Sequence, residues 1–156
     1  MKVRLYSVGT RMPRWVQEGV EEYRKRIEKD LGFSVIEVPL VKRTNSQNVE
    51  QCVQKEGAAL ISRLQQGDFV VALEVTGKVL DTPTLARRIE ELRLEGKNLS
   101  LLVGGPDGLS QDCLARANET WSLSALTLPH PLVRILVTEQ LYRAASILNN
   151  HPYHRS

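Results

Sequence analysis

The sequence predicts an α/β fold in which a mostly parallel sheet carries helices on both faces. Segments of strand character alternate with segments of helical periodicity along the 156 residues. The central strand segments are continuous apolar runs, which are typical of strands buried on both faces. Glycine or proline separates most segments, as expected at the ends of helices and strands.

The first residues predict a strand, a helix and a second strand. Residues 2–8 alternate apolar and polar side chains, which favours a strand. Apolar residues at three- and four-residue spacing over 13–30 predict an amphipathic helix that ends at Gly32. The second strand covers residues 33–38 and stops at Pro39.

A polar loop then leads into a second helix and a third strand. We expect Asn45 or Ser46 to cap this helix, whose apolar residues lie within 49–64. Residues 68–74 are an apolar run between two acids, which predicts a strand buried on both faces. Residues 76–78, Thr-Gly-Lys, are expected to turn the chain.

The second half of the chain continues the alternation. A third helix begins at residues 82–83, Thr-Pro, and a buried strand covers Leu99–Val103. Ser110 is expected to cap a short helix that follows a glycine-rich turn. Residues 121–123 form the last strand, and residues 132–149 form a long helix.

Composition excludes several classes of protein. With 42% hydrophobic and 25% charged residues, the chain is predicted to form a single globular domain over 1–156. Cys52 and Cys113 stand far apart without a neighbouring Cys or His, so neither a disulfide framework nor a metal site is expected. No signal peptide and no run of ~18 apolar residues is present, so we expect a cytoplasmic protein with no membrane contact.

The net charge of +3 comes from one part of the chain. Residues 1–31 hold eight basic and five acidic groups, and the remaining segments nearly cancel. These basic groups and Lys42–Arg43 are candidates to bind phosphate, although a net charge of +3 is too small to indicate nucleic acid by itself. Acids interleaved along the first helix are also typical of an ordinary solvated face.

The last helix predicts a dimer. Apolar residues cover most of its circumference and leave a narrow polar strip, whereas a surface helix has a wide polar face. A central core helix would show the same pattern. Because a domain of this size offers little room for such a helix, we favour a contact with a second subunit in a two-fold symmetric homodimer.

Two segments that follow predicted strands are candidates to bind a ligand. Residues 104–108, Gly-Gly-Pro-Asp-Gly, form a turn at a strand end, where ligands of open α/β sheets bind. The turn matches neither the dinucleotide fingerprint nor the P-loop, and a purely structural turn is an equal alternative. Residues 122–128 could offer backbone groups and an apolar wall to an adenine, although this segment by itself favours an ordinary surface loop.

The chain end concentrates titratable groups. Residues 151–156 hold two of the three histidines together with Tyr153 and Arg155. Chain ends are often frayed and dispensable. However, His exchanges a proton near neutral pH, and Arg binds phosphate or a developing oxyanion. His130, which stands between two prolines, is interpreted as a rigid, structural turn residue.

Together these segments resemble the SPOUT class of RNA methyltransferases, and within it the bacterial enzymes that methylate N3 of a pseudouridine in large-subunit 23S ribosomal RNA. The resemblance covers the whole chain. The segments that carry it are residues 1–13, 76–78, 101–110, 121–130, 133–144 and 151–155.

This resemblance implies a fold, a cofactor and a set of site residues. It implies a deep trefoil knot in the C-terminal part, a homodimer, and large-subunit ribosomal RNA or the ribosome as partner. It also implies S-adenosylmethionine as cofactor, with no metal. Carried over by position, the cofactor contacts fall on Leu73, Gly104, Leu123, Ser124, Ala125, Leu126, Thr127 and Leu128.

The resemblance also points to the chain end for catalysis. The N3 imide of pseudouridine attacks a methyl group far better once deprotonated, so we expect a base and a group that stabilises negative charge. His154 is the candidate base, Arg155 the candidate anion stabiliser or phosphate clamp, and Tyr153 the candidate for orienting the base. Two other functions stay open at this point: a nucleotide-binding module of another chemistry, and a ribosome-binding protein without catalysis.

Overall fold

The alternation of strands and helices is confirmed. The structure is a computed structural model, which describes residues 1–155 except the side chain of Arg155. The elements, in chain order, are β1 (Val3–Val8), α1 (Arg14–Leu31), β2 (Ser34–Val38), α2 (Val49–Ser62), β3 (Phe69–Val79), α3 (Thr82–Leu94), β4 (Leu99–Val103), α4 (Gln111–Arg116), β5 (Glu119–Ser122), α5 (His130–Leu148) and a 3₁₀ turn (Pro152–Arg155).

The five strands form one parallel sheet in the order β2-β1-β4-β3-β5. The centre of the sheet is β4, in which all five residues are buried, as its apolar run predicts. Because every strand runs in the same direction, all the carboxyl ends meet at one edge of the sheet. That edge is where ligands bind in folds of this type.

Helices cover both faces of the sheet, as predicted. Side chains of β1 alternate between the faces: Leu5 packs under α1, α3 and α5, and Tyr6 packs under α2 and α4. Each fully buried side chain of this size contributes about 1.5–3 kcal/mol relative to an exposed one. Both cysteines are buried on the α2 and α4 side, and burial raises the pKa of the Cys113 thiol.

Helix α5 lies in the middle of its helical layer, between α1 and α3. The expectation that a domain of this size has little room for a central helix was therefore wrong. Val137, Leu141 and Ala144 are buried inside one subunit, so most of the apolar circumference is explained without a partner. None of the helices within residues 1–155 combines the length and apolar character of a membrane span.

Strand β3 is longer than the sequence predicts. Residues 76–78 were expected to turn the chain, but they continue the strand to Val79. The pairing with β5 breaks between Leu73 and Lys78 and resumes beyond this bulge. Gly77 permits the close approach, since a Cβ there would lie 2.8 Å from backbone atoms of Thr120 and Trp121. Such long-range pairing leaves no local signal in the sequence.

Two helix starts also differ from the prediction. Asn48, rather than Asn45 or Ser46, caps α2 by accepting a hydrogen bond from the backbone N–H of Gln51 at 2.7 Å. His130 is not a turn residue but the first residue of α5. Pro131 fits the first turn of the helix, where a missing N–H costs nothing. The predicted cap of α4 by Ser110 is confirmed.

Candidate functional site

A cavity of about 190 Å³ opens at the carboxyl edge of the sheet, beside the bulge in β3 and the ends of β4 and β5. Its walls come from residues 73–75 of β3, from the two predicted strand-end segments and from the start of α5. Seven of the eight predicted cofactor residues line it, and Ala125, which is exposed, does not. The lining residues are Leu73, Glu74, Val75, Val103, Gly104, Gly105, Pro106, Gly108, Leu109, Leu123, Ser124, Leu126, Thr127, Leu128, His130 and Val133.

The glycine-rich turn after β4 forms one wall of the cavity and is closed on itself. The backbone N–H of Gly108 donates to the carbonyl of Gly105 at 3.1 Å, and Gly108 has a φ of +82°. A Cβ on Gly104 would lie 2.5 Å from the carbonyl oxygen of Gly108 and 2.8 Å from the backbone nitrogen of Leu109. Only glycine therefore permits this turn at position 104.

An ion-pair network ties the turn to α2, which covers the face of the sheet opposite to α5. The guanidinium of Arg43 bridges Asp107 in the turn, at 2.8 Å, and the buried carboxylate of Glu56 in α2. The backbone N–H of Val41 donates to the same Glu56 carboxylate at 3.0 Å. Hydrogen bonding to Glu56, ahead of the bond to Asp107, raises the pKa of Arg43. This network joins residues far apart in the sequence, where Arg43 was predicted only as a candidate phosphate ligand.

The segment 123–128 forms the facing wall and bends around two serines. The Ser122 hydroxyl donates to the carbonyl of Ser124 at 2.9 Å, and the backbone N–H of Leu126 donates to the Ser124 hydroxyl at 2.9 Å. These bonds leave the Leu126 side chain 72% exposed at the mouth of the cavity. A ring that entered the cavity would find an apolar wall and backbone polar groups here.

His130 is the histidine that lines the cavity. Its Nδ1 is buried and has no hydrogen-bond partner among the described residues. Burial, followed by the charge of Arg134, lowers the pKa of His130 below the usual value of 6.5. Arg134 lies one helical turn away and donates to the carbonyl of Gly9 at 2.6 Å, which ties α5 to the end of β1. The imidazole at the cavity is therefore neutral near pH 7.

The predicted catalytic residues lie away from the cavity of their own subunit. Tyr153 folds back along α5 and donates to Glu139 at 3.1 Å. Glu139 lies nine residues after His130, or about 14 Å along the helix axis at ~1.5 Å per residue. Nδ1 of His154 lies 2.6 Å from the carbonyl of His151, and the side chain of Arg155 lies outside the described residues. Neither Tyr153 nor His154 lines the cavity.

Tyr153 is packed rather than frayed. Its ring centroid lies 4.4 Å from that of Tyr142, and the Arg143 guanidinium lies 4.9 Å from its centroid. Burial raises the pKa of Tyr153 to about 12, and hydrogen bonding to Tyr23 adds to the shift. The phenol is therefore a hydrogen-bond donor at neutral pH, and the last residues have a defined place on α5.

Four of the five basic groups of α1 pair with acids of the same helix. Arg24 pairs with Glu21 and Glu28, and Lys25 and Arg26 both pair with Glu22. The helix carries five basic and five acidic residues, so its net charge is zero. The excess positive charge of residues 1–31 therefore belongs to residues that precede α1. Helix α1 itself shows the ion pairs that are typical of a solvent-exposed helix face.

Comparison with known proteins relates the chain to methyltransferases. Residues 1–154 match the family model described as "Predicted SPOUT methyltransferase". The "Ribosomal RNA large subunit methyltransferase H" of Marinomonas sp. (strain MWYL1) is 50% identical over 99% of this chain and 100% of the relative. The protein of the same name from Hahella chejuensis (strain KCTC 2396) is 51% identical over 99% of this chain and 99% of the relative. That of Pseudomonas aeruginosa (strain UCBPP-PA14) is 49% identical over 99% of this chain and 100% of the relative.

Solved structures support the same fold at low sequence identity. A probable methylase family protein from Haemophilus influenzae Rd KW20 superposes with a TM-score of 0.53, with 13% identity, over 97% of this chain and 69% of that chain. A putative methylase family protein from Neisseria gonorrhoeae gives 0.53, with 10% identity, over 90% and 81%. With a family model over 154 residues and relatives near 50% identity over their whole length, the chain belongs to the SPOUT methyltransferase family.

Proposed function

We propose that this chain is an S-adenosylmethionine-dependent methyltransferase that methylates N3 of a pseudouridine in 23S ribosomal RNA of the bacterial large subunit. One observation carries the proposal: seven of the eight residues that the family resemblance assigns to the cofactor line a single cavity. The relatives' names supply the class of RNA. Family membership also implies the trefoil knot in the C-terminal part and a place of action with ribosomes in the cytoplasm.

The cavity residues fit this cofactor. Leu73, Leu126 and Leu128 offer an apolar wall to an adenine ring, and the 123–128 backbone offers polar groups to its edge. Glycine at 104 allows the backbone of the turn to close at the cavity wall, where a ligand can approach it. Glu74 provides a carboxylate that can accept hydrogen bonds from hydroxyl or ammonium groups. When bound, the cofactor supplies an electrophilic sulfonium methyl group, so the reaction requires no metal.

The chain itself has to orient the base and move a proton. The turn at 104–108, held by Arg43, and the 123–128 segment define opposite walls, which pre-organise the position of the methyl donor. N3 of the pseudouridine has to lose its proton to attack. His154 is the proposed proton acceptor, Arg155 the proposed stabiliser of charge on the flanking carbonyls, and Tyr153 the residue proposed to orient the base.

These catalytic assignments require a second copy of the chain. Because Tyr153 packs along α5, with its hydroxyl at Glu139, and does not line the cavity of its own subunit, the tail has to approach the cavity of a partner in a homodimer. Exposed apolar residues support such a contact: Trp15 is 54% and Leu132 is 40% exposed. They lie one turn before Gly19 and Ile135, where α1 and α5 touch. A monomer in light scattering would contradict this arrangement.

Calorimetric titration tests the cofactor assignment. We expect S-adenosylmethionine to bind and ATP and NAD not to bind, because the glycine turn matches neither phosphate-binding pattern. Leu126→Ser should weaken the binding, since Leu126 stands at the mouth of the cavity. Val79→Ser is the matched control, because Val79 is 69% exposed against 72% for Leu126 but does not line the cavity. Binding of ATP or NAD in place of S-adenosylmethionine would overturn the proposal.

A further inference from the structure

Of the residues that give the first segment, residues 1–31, its net positive charge, only Arg11 is both exposed and located at the carboxyl edge of the sheet, where the cavity lies. Because α1 is neutral, the excess of +3 over residues 1–31 belongs to Lys2, Arg4 and Arg11. Arg4 pairs with Asp68 at 2.8 Å, which removes it from the exposed set. Lys2 precedes β1 and therefore lies at the opposite edge of the sheet. Arg11, which follows β1, lies at the carboxyl edge with the cavity.

Arg11 has a left-handed backbone conformation, which is unfavourable for a residue that carries a Cβ atom. Its φ is +58°, and the only other non-glycine residue with positive φ within the described chain is Asn150, a residue type that tolerates it. Neighbouring bonds impose this conformation: the N–H of Gly9 donates to Val38 at 2.7 Å, and the Gln17 amide donates to the Met12 carbonyl at 2.6 Å. Glycine would suit the backbone better, so the guanidinium is present at a local cost. Such costs concentrate at functional positions.

The Arg11 guanidinium is exposed and has no ion-pair or hydrogen-bond partner among the described side chains. This contrasts with α1, where four of the five cations are paired with acids. The segment borders the cavity: a Cβ on Gly9 would lie 3.6 Å from the His130 ring, which lines the cavity wall. Arg11 follows Gly9 by two residues, so the backbone that carries this unpaired cation runs close to the place where the methyl donor is proposed to bind.

Lys42 provides a second cation on the neighbouring strand end. It follows β2, which pairs with β1 in parallel, and its side chain is exposed without an ion-pair partner among the described residues. The residues on either side, Val41 and Arg43, are both anchored to the buried carboxylate of Glu56. This anchoring holds the Lys42 backbone in place, so a ligand that met its ammonium group would order only the side chain.

We propose that Arg11 and Lys42 form an anion-binding rim beside the cavity and that its ligand is the phosphodiester backbone of the substrate RNA. This inference rests on the proposed function, which supplies RNA as the substrate. The two cations contact phosphate oxygens and hold the RNA in register, without reading its sequence. The base to be methylated then enters the adjoining cavity.

The test compares two double variants that remove the same charge. Arg11→Gly/Lys42→Ala removes the rim, and Lys2→Ala/Lys97→Ala removes two exposed cations at the opposite edge of the sheet. The probe is a fluorescently labelled RNA stem-loop, and its affinity is measured by anisotropy over a series of salt concentrations. Loss of two phosphate contacts should lower the slope of log affinity against log salt by about 1.4–1.8 for the rim variant only.

A stability measurement separates lost binding from damaged folding. Arg11→Gly relieves the unfavourable φ, so its melting temperature should equal or exceed that of the wild type. An unchanged affinity and salt slope in the rim variant, an equal loss in the opposite-edge variant, or no RNA binding by the wild type would each overturn the inference. RNA binding that depends on the rim, without methyl transfer by the wild type, would contradict the proposed function and leave the rim intact.

Discussion

Replacement of Gly104 by alanine tests whether the closed glycine turn forms the methyl-donor site. The added Cβ would lie 2.5 Å from the Gly108 carbonyl oxygen and 2.8 Å from the Leu109 nitrogen. Both are backbone atoms of the turn, so the turn itself has to open. Overpacking of this kind costs about 1–3 kcal/mol. If the whole cost falls on the bound conformation, the affinity for S-adenosylmethionine falls roughly fivefold to 150-fold, since 1.4 kcal/mol is tenfold.

Gly105→Ala is the matched control for this experiment. Its Cβ would meet only side chains, the Val8 methyl at 3.0 Å and the Leu40 methyl at 3.3 Å, and these can shift by a few tenths of an ångström. Titration calorimetry should therefore show a much larger loss of affinity for Gly104→Ala than for Gly105→Ala, and thermal unfolding reports how much of the cost falls on the free fold. Equal affinities for the two variants would refute the role of the turn.

Three further substitutions probe the network, the cavity histidine and the tail. Arg43→Met leaves the buried Glu56 carboxylate without its cation, so the free energy of unfolding, measured by denaturant titration, should fall by about 3–5 kcal/mol. Asp107→Asn keeps the pair between Arg43 and Glu56, so its free energy of unfolding should fall much less. Because the pKa of His130 is lowered in the folded chain, the unfolded chain binds more protons than the folded chain below pH 6.5. The stability of the wild type should therefore fall as the pH falls below that value. Thermal melts over a range of pH should show a weaker pH dependence for His130→Gln. His154→Ala should lower methyl transfer while leaving cofactor affinity unchanged by calorimetry, and unchanged turnover would remove His154 from the mechanism.

The local parts of the fold could be predicted from sequence. The mainly apolar run of Leu99–Val103 predicted β4 at its observed bounds, because a strand buried on both faces shows no alternation of apolar and charged residues and has only the small Ser100 as a polar member. Two strand-end segments, residues 104–108 and 122–128, were also predicted to bind ligand, since parallel strands bring their carboxyl ends together, and the family resemblance added Leu73. Their convergence on one cavity follows from the strand order, in which β3 lies between β4 and β5.

Features that depend on distant contacts could not be predicted. The second half of β3 pairs with β5 some 40 residues later, and the sequence of Thr76–Lys78 alone reads as a turn. Arg43 and Glu56 meet Asp107 only because the fold brings the end of β2 beside the glycine turn. His130 between two prolines gave no sign of a cavity wall. The same holds for α5, whose neighbours α1 and α3 are remote in sequence.

Methyl transfer from labelled S-adenosylmethionine to ribosomes of a methylation-deficient strain tests the central claim most directly. The account predicts that the wild-type chain places label in large-subunit RNA, at N3 of a pseudouridine, and that Gly104→Ala loses this transfer far more than Gly105→Ala. Ribosomes that remain unlabelled, or label found on another nucleotide, would contradict it.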